Sequence, residues 1–176
     1  MVAFHHYERT TPLITQIITH TPHWVFGLFV LLIAFGLQQT RSRNVNVVLA
    51  YLLPLGMIGL SLFGIHASFG MEPAPVAMWA LGLLFVTGIR FKYFRDERVT
   101  FTRASRSFFI PGSWIPLCVI VAIFITKYAF AIMRALHAEM VGTGAFIAAF
   151  SLAYGCYSGY FSSRAANLVY AAKGAE

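Results

Sequence analysis

The stretch from Ser113 to Met133, SWIPLCVIVAIFITKYAFAIM, admits few folds. It is apolar throughout except for one charge, Lys127. A helix rising ~1.5 Å per residue needs about twenty such residues to cross ~30 Å of hydrocarbon. Four further apolar runs flank it. Membrane spans are therefore expected at about 22–39, 45–69, 75–90, 113–136 and 141–162, with a basic loop at about 90–112. Only 11% of the 176 residues are charged, against about 25% in a soluble domain. Too little polar surface is present to face water on all sides. The expected fold is all-α: one integral membrane bundle of five transmembrane helices over residues 1–176.

The excess of positive charge gives this bundle a direction. Five spans place Arg41, Arg43, Arg164, Lys173 and the basic residues of the 90–112 loop on one side. Arg9 and Arg134 fall on the other. Basic residues collect in the cytoplasmic gaps of membrane proteins, so the N-terminus is expected outside and the C-terminus in the cytoplasm. The long loop alternates Arg90, Lys92, Arg95, Arg98, Arg103 and Arg106 with Phe91, Tyr93, Phe94, Phe101, Phe108 and Phe109. That mixture also suits nucleic acid. Between two spans it reads as a segment lying on anionic lipid headgroups, and no nucleic-acid partner is expected.

Local signals place the helix ends. Leu13, Ile14, Ile17 and Ile18 recur at helical spacing before Pro22, as an interfacial turn or two would. The start MVAFHHYERTTP has no basic segment or small-residue cleavage site, so the first helix is expected to serve as its own insertion signal. Pro54 should bend the second span by freeing the carbonyl of Ala50. Gly56, Gly59, Ser61 and Gly64 let a neighbouring backbone approach. Ser113 is a good N-cap for the fourth span, with Pro116 in its first turn.

Lys127 is the most informative single residue. A charge in a membrane helix must snorkel, pair or line water. In the first case its ammonium reaches the outer headgroups. In the second it faces the bundle interior beside Tyr128, with Glu72 and Glu139 as partners and His66 and His137 near an outward mouth. A cation there favours an anionic or carbonyl-bearing ligand.

The fifth span carries Ser151, Gly155, Gly159 and Ser163 at intervals of four, a close-packing face in an apolar helix. Its partner is either a helix of the same chain or another protein, so a homo-oligomer or a membrane complex is open. His20 and His23 are three apart, but Pro22 interrupts them, and no thiolate supports a metal site. Cys118 and Cys156 read as core fillers, with a redox pair as the alternative. No metal and no cofactor is expected. No GxSxG, HExxH or phosphate-binding loop occurs, and no span holds paired carboxylates. The chain leans away from an enzyme, with a membrane enzyme using the histidines as the weakest reading. Three readings follow: small-solute or anion binding and transport through an outward pocket around Lys127, a non-catalytic accessory subunit of a larger complex, and a metal or redox maturation factor.

Three stretches, THTPHWVFGLFVLLIAFGLQQTRSR, LPLGMIGLSLFG and PGSWIPLCVIVAIFITKY, cover about half of the chain. In this order they resemble a family of uncharacterised small proteobacterial inner-membrane proteins. The resemblance implies a multi-pass protein of the bacterial inner membrane, with about five helices. It implies no activity, cofactor or catalytic residue. Lys127 and Tyr128 match its motif by position.

Overall fold

The computed structural model describes residues 22–70, 72–94 and 98–174. The interfacial turn expected around Leu13–Ile18, with His5, His6, Arg9 and His20, lies outside them, as do Arg95, Asp96 and Glu97. Six helices and three short strands follow in order. They are α1 (His23–Gln38), β1 (Arg43–Asn46), α2 (Val47–Phe69), α3 (Pro73–Tyr93), β2 (Thr100–Thr102), β3 (Ser107–Ile110), α4 (Ile115–Leu136), α5 (Ala138–Val141) and α6 (Gly144–Lys173).

Their boundaries follow from local chemistry. The Asn46 side chain accepts from the Val48 N–H at 2.9 Å and caps α2, filling one of the orphan donors of a helix start. Gly70 ends α2 with φ 76°, a backbone region that glycine enters without a Cβ clash. Prolines open α3 and α4 within their first turns, where a missing N–H costs nothing. Ser113 does accept from the Ile115 N–H, at 3.3 Å. The cap position is nonetheless one residue later than expected, at Trp114, and the helix starts at Ile115.

Three helices, α2, α3 and α4, are long and apolar enough to cross a membrane. Helix α1 is apolar and shorter, at 16 residues. Large apolar side chains point outward all around them, among them Leu52 at 60% and Leu84 at 66% exposed. A lipid surround accepts such an exterior. The helix with the polar residues, α6, is the most enclosed: Ser151, Ser158, Ser163 and Asn167 are all buried on it. The polarity that lowers its hydropathy faces its siblings.

Contacts give the helix directions. Trp79 and Leu83 of α3 meet Gly155 and Gly159 of α6, so these two helices run parallel. A Cβ on Gly159 would stand 2.6 Å from the Leu83 carbonyl oxygen, and one on Gly82 would stand 2.5 Å from that of Leu152. Backbones this close tolerate no side chain between them. Helix α2 is antiparallel to α6, since Ser61 donates to the Tyr154 carbonyl while Ala50 and Leu168 share one cluster. Helix α4 is antiparallel to both α1, through Phe29–Phe124, and α6, through Phe130–Phe146 and Thr126–Tyr157.

The loop expected to lie flat on headgroups is folded. Helix α3 continues to Tyr93, and β2 and β3 form a hairpin that β1 joins. The order is β1-β3-β2, all antiparallel. Val45 and Phe101 both sit opposite Phe108, which is 1% exposed. The all-α expectation therefore lacked a small sheet. Its strands are only three or four residues long, too short for alternation to stand out from an aromatic-basic loop. Helix α6 runs well past the expected end at 162, and Leu168 packs under this sheet with Val45, Ala50 and Phe108.

Candidate functional site

One end of the bundle gathers the C-termini of α1 and α3, the N-termini of α2 and α4, the sheet, and the last third of α6. A cavity of about 510 Å³ lies among them. Its polar wall carries Arg43 from β1, Arg90 from α3, Arg164 from α6, and Arg98 from the approach to β2. No described lining residue is acidic.

Two of these arginines are held by neighbours. Arg90 Nε donates to Ser163 Oγ at 2.9 Å, and its guanidinium lies 4.8 Å from the centre of the Tyr160 ring. Ser163 Oγ in turn donates to the Tyr160 carbonyl at 2.7 Å. Arg164 Nη1 donates to Gln39 Oε1 at 3.3 Å, tying α6 to the end of α1. Arg43 is the strained one. Burial pushes its guanidinium below the usual arginine range, and the charge of Arg164 pushes in the same direction. Desolvation and a like charge both disfavour a cation, and arginine stays charged regardless. The cluster therefore holds positive charge at a cost that a bound anion would offset.

The floor is built by the Pro111-Gly112-Ser113 turn. Ser113 N–H donates to the Gln39 carbonyl at 3.1 Å, and Gly112 N–H to Ser42 Oγ at 3.1 Å. Gly112 lies directly against the Thr40 backbone, where a Cβ has no room. Asn167 also lines the cavity; it is 8% exposed, and its Oδ1 has no hydrogen-bond partner among the described residues. The remaining wall is apolar: Leu53, Pro54 and Met57 of α2 face Ile115 and Ile120 of α4, with Phe35 of α1.

The residues singled out from sequence lie elsewhere; none of Lys127, Tyr128, His66, Glu72, His137 and Glu139 lines this cavity. Lys127 is exposed. Its ammonium reaches over the Tyr154 ring of α6, 5.4 Å from the centroid, and beside Gly64 of α2. Among the described residues it makes this ring contact and no ion pair with Glu72 or Glu139. Tyr128 stacks on Phe124 instead, with ring centroids 6.1 Å apart. His137 Nδ1 and Glu139 Oε1 lie 3.5 Å apart on the exposed end opposite the arginines. His66 and Glu72 are exposed at that same end.

Gly155 and Gly159 are covered by α3 of the same chain. Ser163 serves Arg90, and Ser151 is fully buried with its Oγ unpartnered. That face is not available to an outside partner. Both cysteines are free thiols, and no three potential metal ligands gather among the described residues.

Sequence reasoning missed the Trp79 junction, where Nε1 donates to Ser61 Oγ at 3.1 Å and to Ser158 Oγ at 3.2 Å. It also treated Arg43 and Arg164 only as orienting charges, and Arg90 and Arg98 as part of a loop on lipid headgroups. The available signal was Arg90 following a span directly, with the polar Ser163-Arg164 and Asn167 at the end of another.

A model of a family of unknown function (DUF6622) matches residues 6–176. No curated protein and no solved structure matches the chain.

Proposed function

We propose a function for this chain, which belongs to DUF6622, a family of unknown function: it is a multi-pass membrane protein that binds an anionic group in its arginine-lined cavity. Five helices, α1 to α4 and α6, cross the bacterial inner membrane, with the N-terminus outside and the arginine end in the cytoplasm. The alternating helix directions and the positive charge at one end support this orientation. The sheet and the last turns of α6 then form a cytoplasmic cap over the cavity.

The observation that carries the proposal is the convergence of Arg43, Arg90 and Arg164, from three separate elements, on one cavity. Guanidinium groups bind carboxylate and phosphate oxygens in pairs of parallel hydrogen bonds. The start of α4 opens on the same space, and a helix N-terminus adds partial positive charge. The volume lies within the ~300–1,000 Å³ usual for small-molecule sites.

Thermal unfolding in a neutral detergent tests it. Inorganic phosphate should raise the unfolding temperature by a few degrees more than chloride at matched ionic strength. Arg43→Gln should stabilise the anion-free protein by about 1 kcal/mol or less, by relieving repulsion at a partly exposed site, and should remove most of the phosphate response. An equal response in Arg43→Gln, Arg164→Gln and the unaltered protein would refute the proposal.

A second reading retains Lys127, with Tyr128, His66, Glu72, His137 and Glu139, as an outward-facing ligand site. What favours it is the turn of the ammonium toward α2 and α6. The arginine cavity is the better-built site, because donors from several elements line it.

A further inference from the structure

We infer that the occupant of the arginine cavity is a net-anionic phospholipid from the inner leaflet, its phosphate held among the arginines and an acyl chain lying between α2 and α4. This rests on the anion-binding reading above and names the ligand class.

The cavity has two chemistries in sequence along its length. Arg43, Arg90 and Arg164 supply donors at the cytoplasmic end. Leu53, Pro54, Met57, Ile115 and Ile120 then supply a hydrocarbon wall with no charge on it. A free inorganic anion uses the first part and leaves the second unfilled. A phosphate carrying an acyl chain fills both. Burying the chain against this wall removes apolar surface from water, and the headgroup fixes register.

The arrangement of helices leaves a lateral entrance. Helix α4 packs on α1, and α2 packs on α6. Helices α2 and α4 touch each other at the end far from the arginines, through Phe69–Phe130 and through Lys127 beside Gly64. They diverge toward the arginine end, where the cavity separates Met57 from Ile120. Ile115 lines the cavity and is 48% exposed, so the wall reaches the surface that faces lipid. An acyl chain can slide in from the bilayer without crossing the polar cap.

Charge selects the headgroup. A zwitterionic lipid brings an ammonium or a choline beside Arg43 and Arg164, which already repel each other. A lipid with a phosphodiester and no amine, such as phosphatidylglycerol, brings only the complementary charge. Basic pockets between helices on the cytoplasmic side bind such headgroups in general.

The test compares four probes on the delipidated, full-length protein in a neutral detergent: phosphatidylglycerol, phosphatidylcholine, glycerol phosphate and inorganic phosphate. Binding is read by native mass spectrometry and thermal unfolding. Phosphatidylglycerol should bind about tenfold more tightly than phosphatidylcholine and than glycerol phosphate. Arg43→Gln with Arg164→Gln should erase the preference between the two lipids. Met57→Trp, which fills the chain slot, should weaken phosphatidylglycerol about tenfold and inorganic phosphate far less. Equal binding of the two lipids, or glycerol phosphate matching phosphatidylglycerol, overturns the lipid assignment. In those cases an arginine-dependent phosphate response would leave the anion-binding reading standing, and its absence would remove both.

Discussion

At the scale of single residues, the contrast between Lys127 and Arg90 is instructive. Both are cations with an aromatic ring beneath them, Tyr154 and Tyr160 respectively. Arg90 also donates to Ser163 and joins other guanidinium groups around a cavity. Lys127 has its ring contact away from the arginine end. A cation over a ring is worth ~0.5–2 kcal/mol, more as it is desolvated. A double-mutant cycle of Lys127→Met and Tyr154→Leu should therefore give a coupling of about 0.5–2 kcal/mol in unfolding free energy. Zero coupling would mean that the ammonium snorkels to the headgroups and the ring contact is incidental.

At the scale of elements, α6 organises the bundle because its polarity is spent inward. Gly155, Gly159 and Gly82 let α3 lie against it at backbone distance, and Trp79 joins α2, α3 and α6 through two serine hydroxyls. Between membrane helices a hydrogen bond averages only ~0.6 kcal/mol, so close packing is the larger contribution. Gly159→Leu should then destabilise by at least about 1–3 kcal/mol, the usual cost of overpacking. The readout is loss of the monodisperse peak in detergent, with a lowered unfolding temperature. A variant that kept its stability and lost only a co-purifying partner would show instead that this face serves another protein.

At the scale of the whole molecule, the positive end is a structure as well as a topological signal. Arg90, Lys92 and Lys173 sit in the last turns of α3 and α6, where cations oppose the negative end of the helix dipole. The same charges that give this end its positive character also line and surround a cavity. A fluorescent reporter fused after Lys173 should fold and shine in the cytoplasm, and a periplasm-dependent phosphatase fused there should stay inactive. Phosphatase activity at that position would invert the orientation and move the cavity to the outer face.

Hydropathy and charge order are local properties that add along the chain, so they are readable without a fold. From them alone came the apolar helices, the single charge at Lys127, the small-residue face of α6 and the crowding of arginines in a few gaps. Convergence is not local. Arg43, Arg90 and Arg164 are separated by whole helices, and only the packing directions of α3 and α6 bring them around one space. The sheet escaped notice for the same reason: three or four residues per strand carry almost no periodic signal, and Val45 becomes core only when Phe108 folds over it. Lipid-facing and ligand-facing apolar residues also read alike, since Leu52 and Leu53 differ in exposure and not in chemistry. Tertiary structure decides which of them meets solvent lipid and which lines a pocket, because that depends on where the neighbouring helix stands.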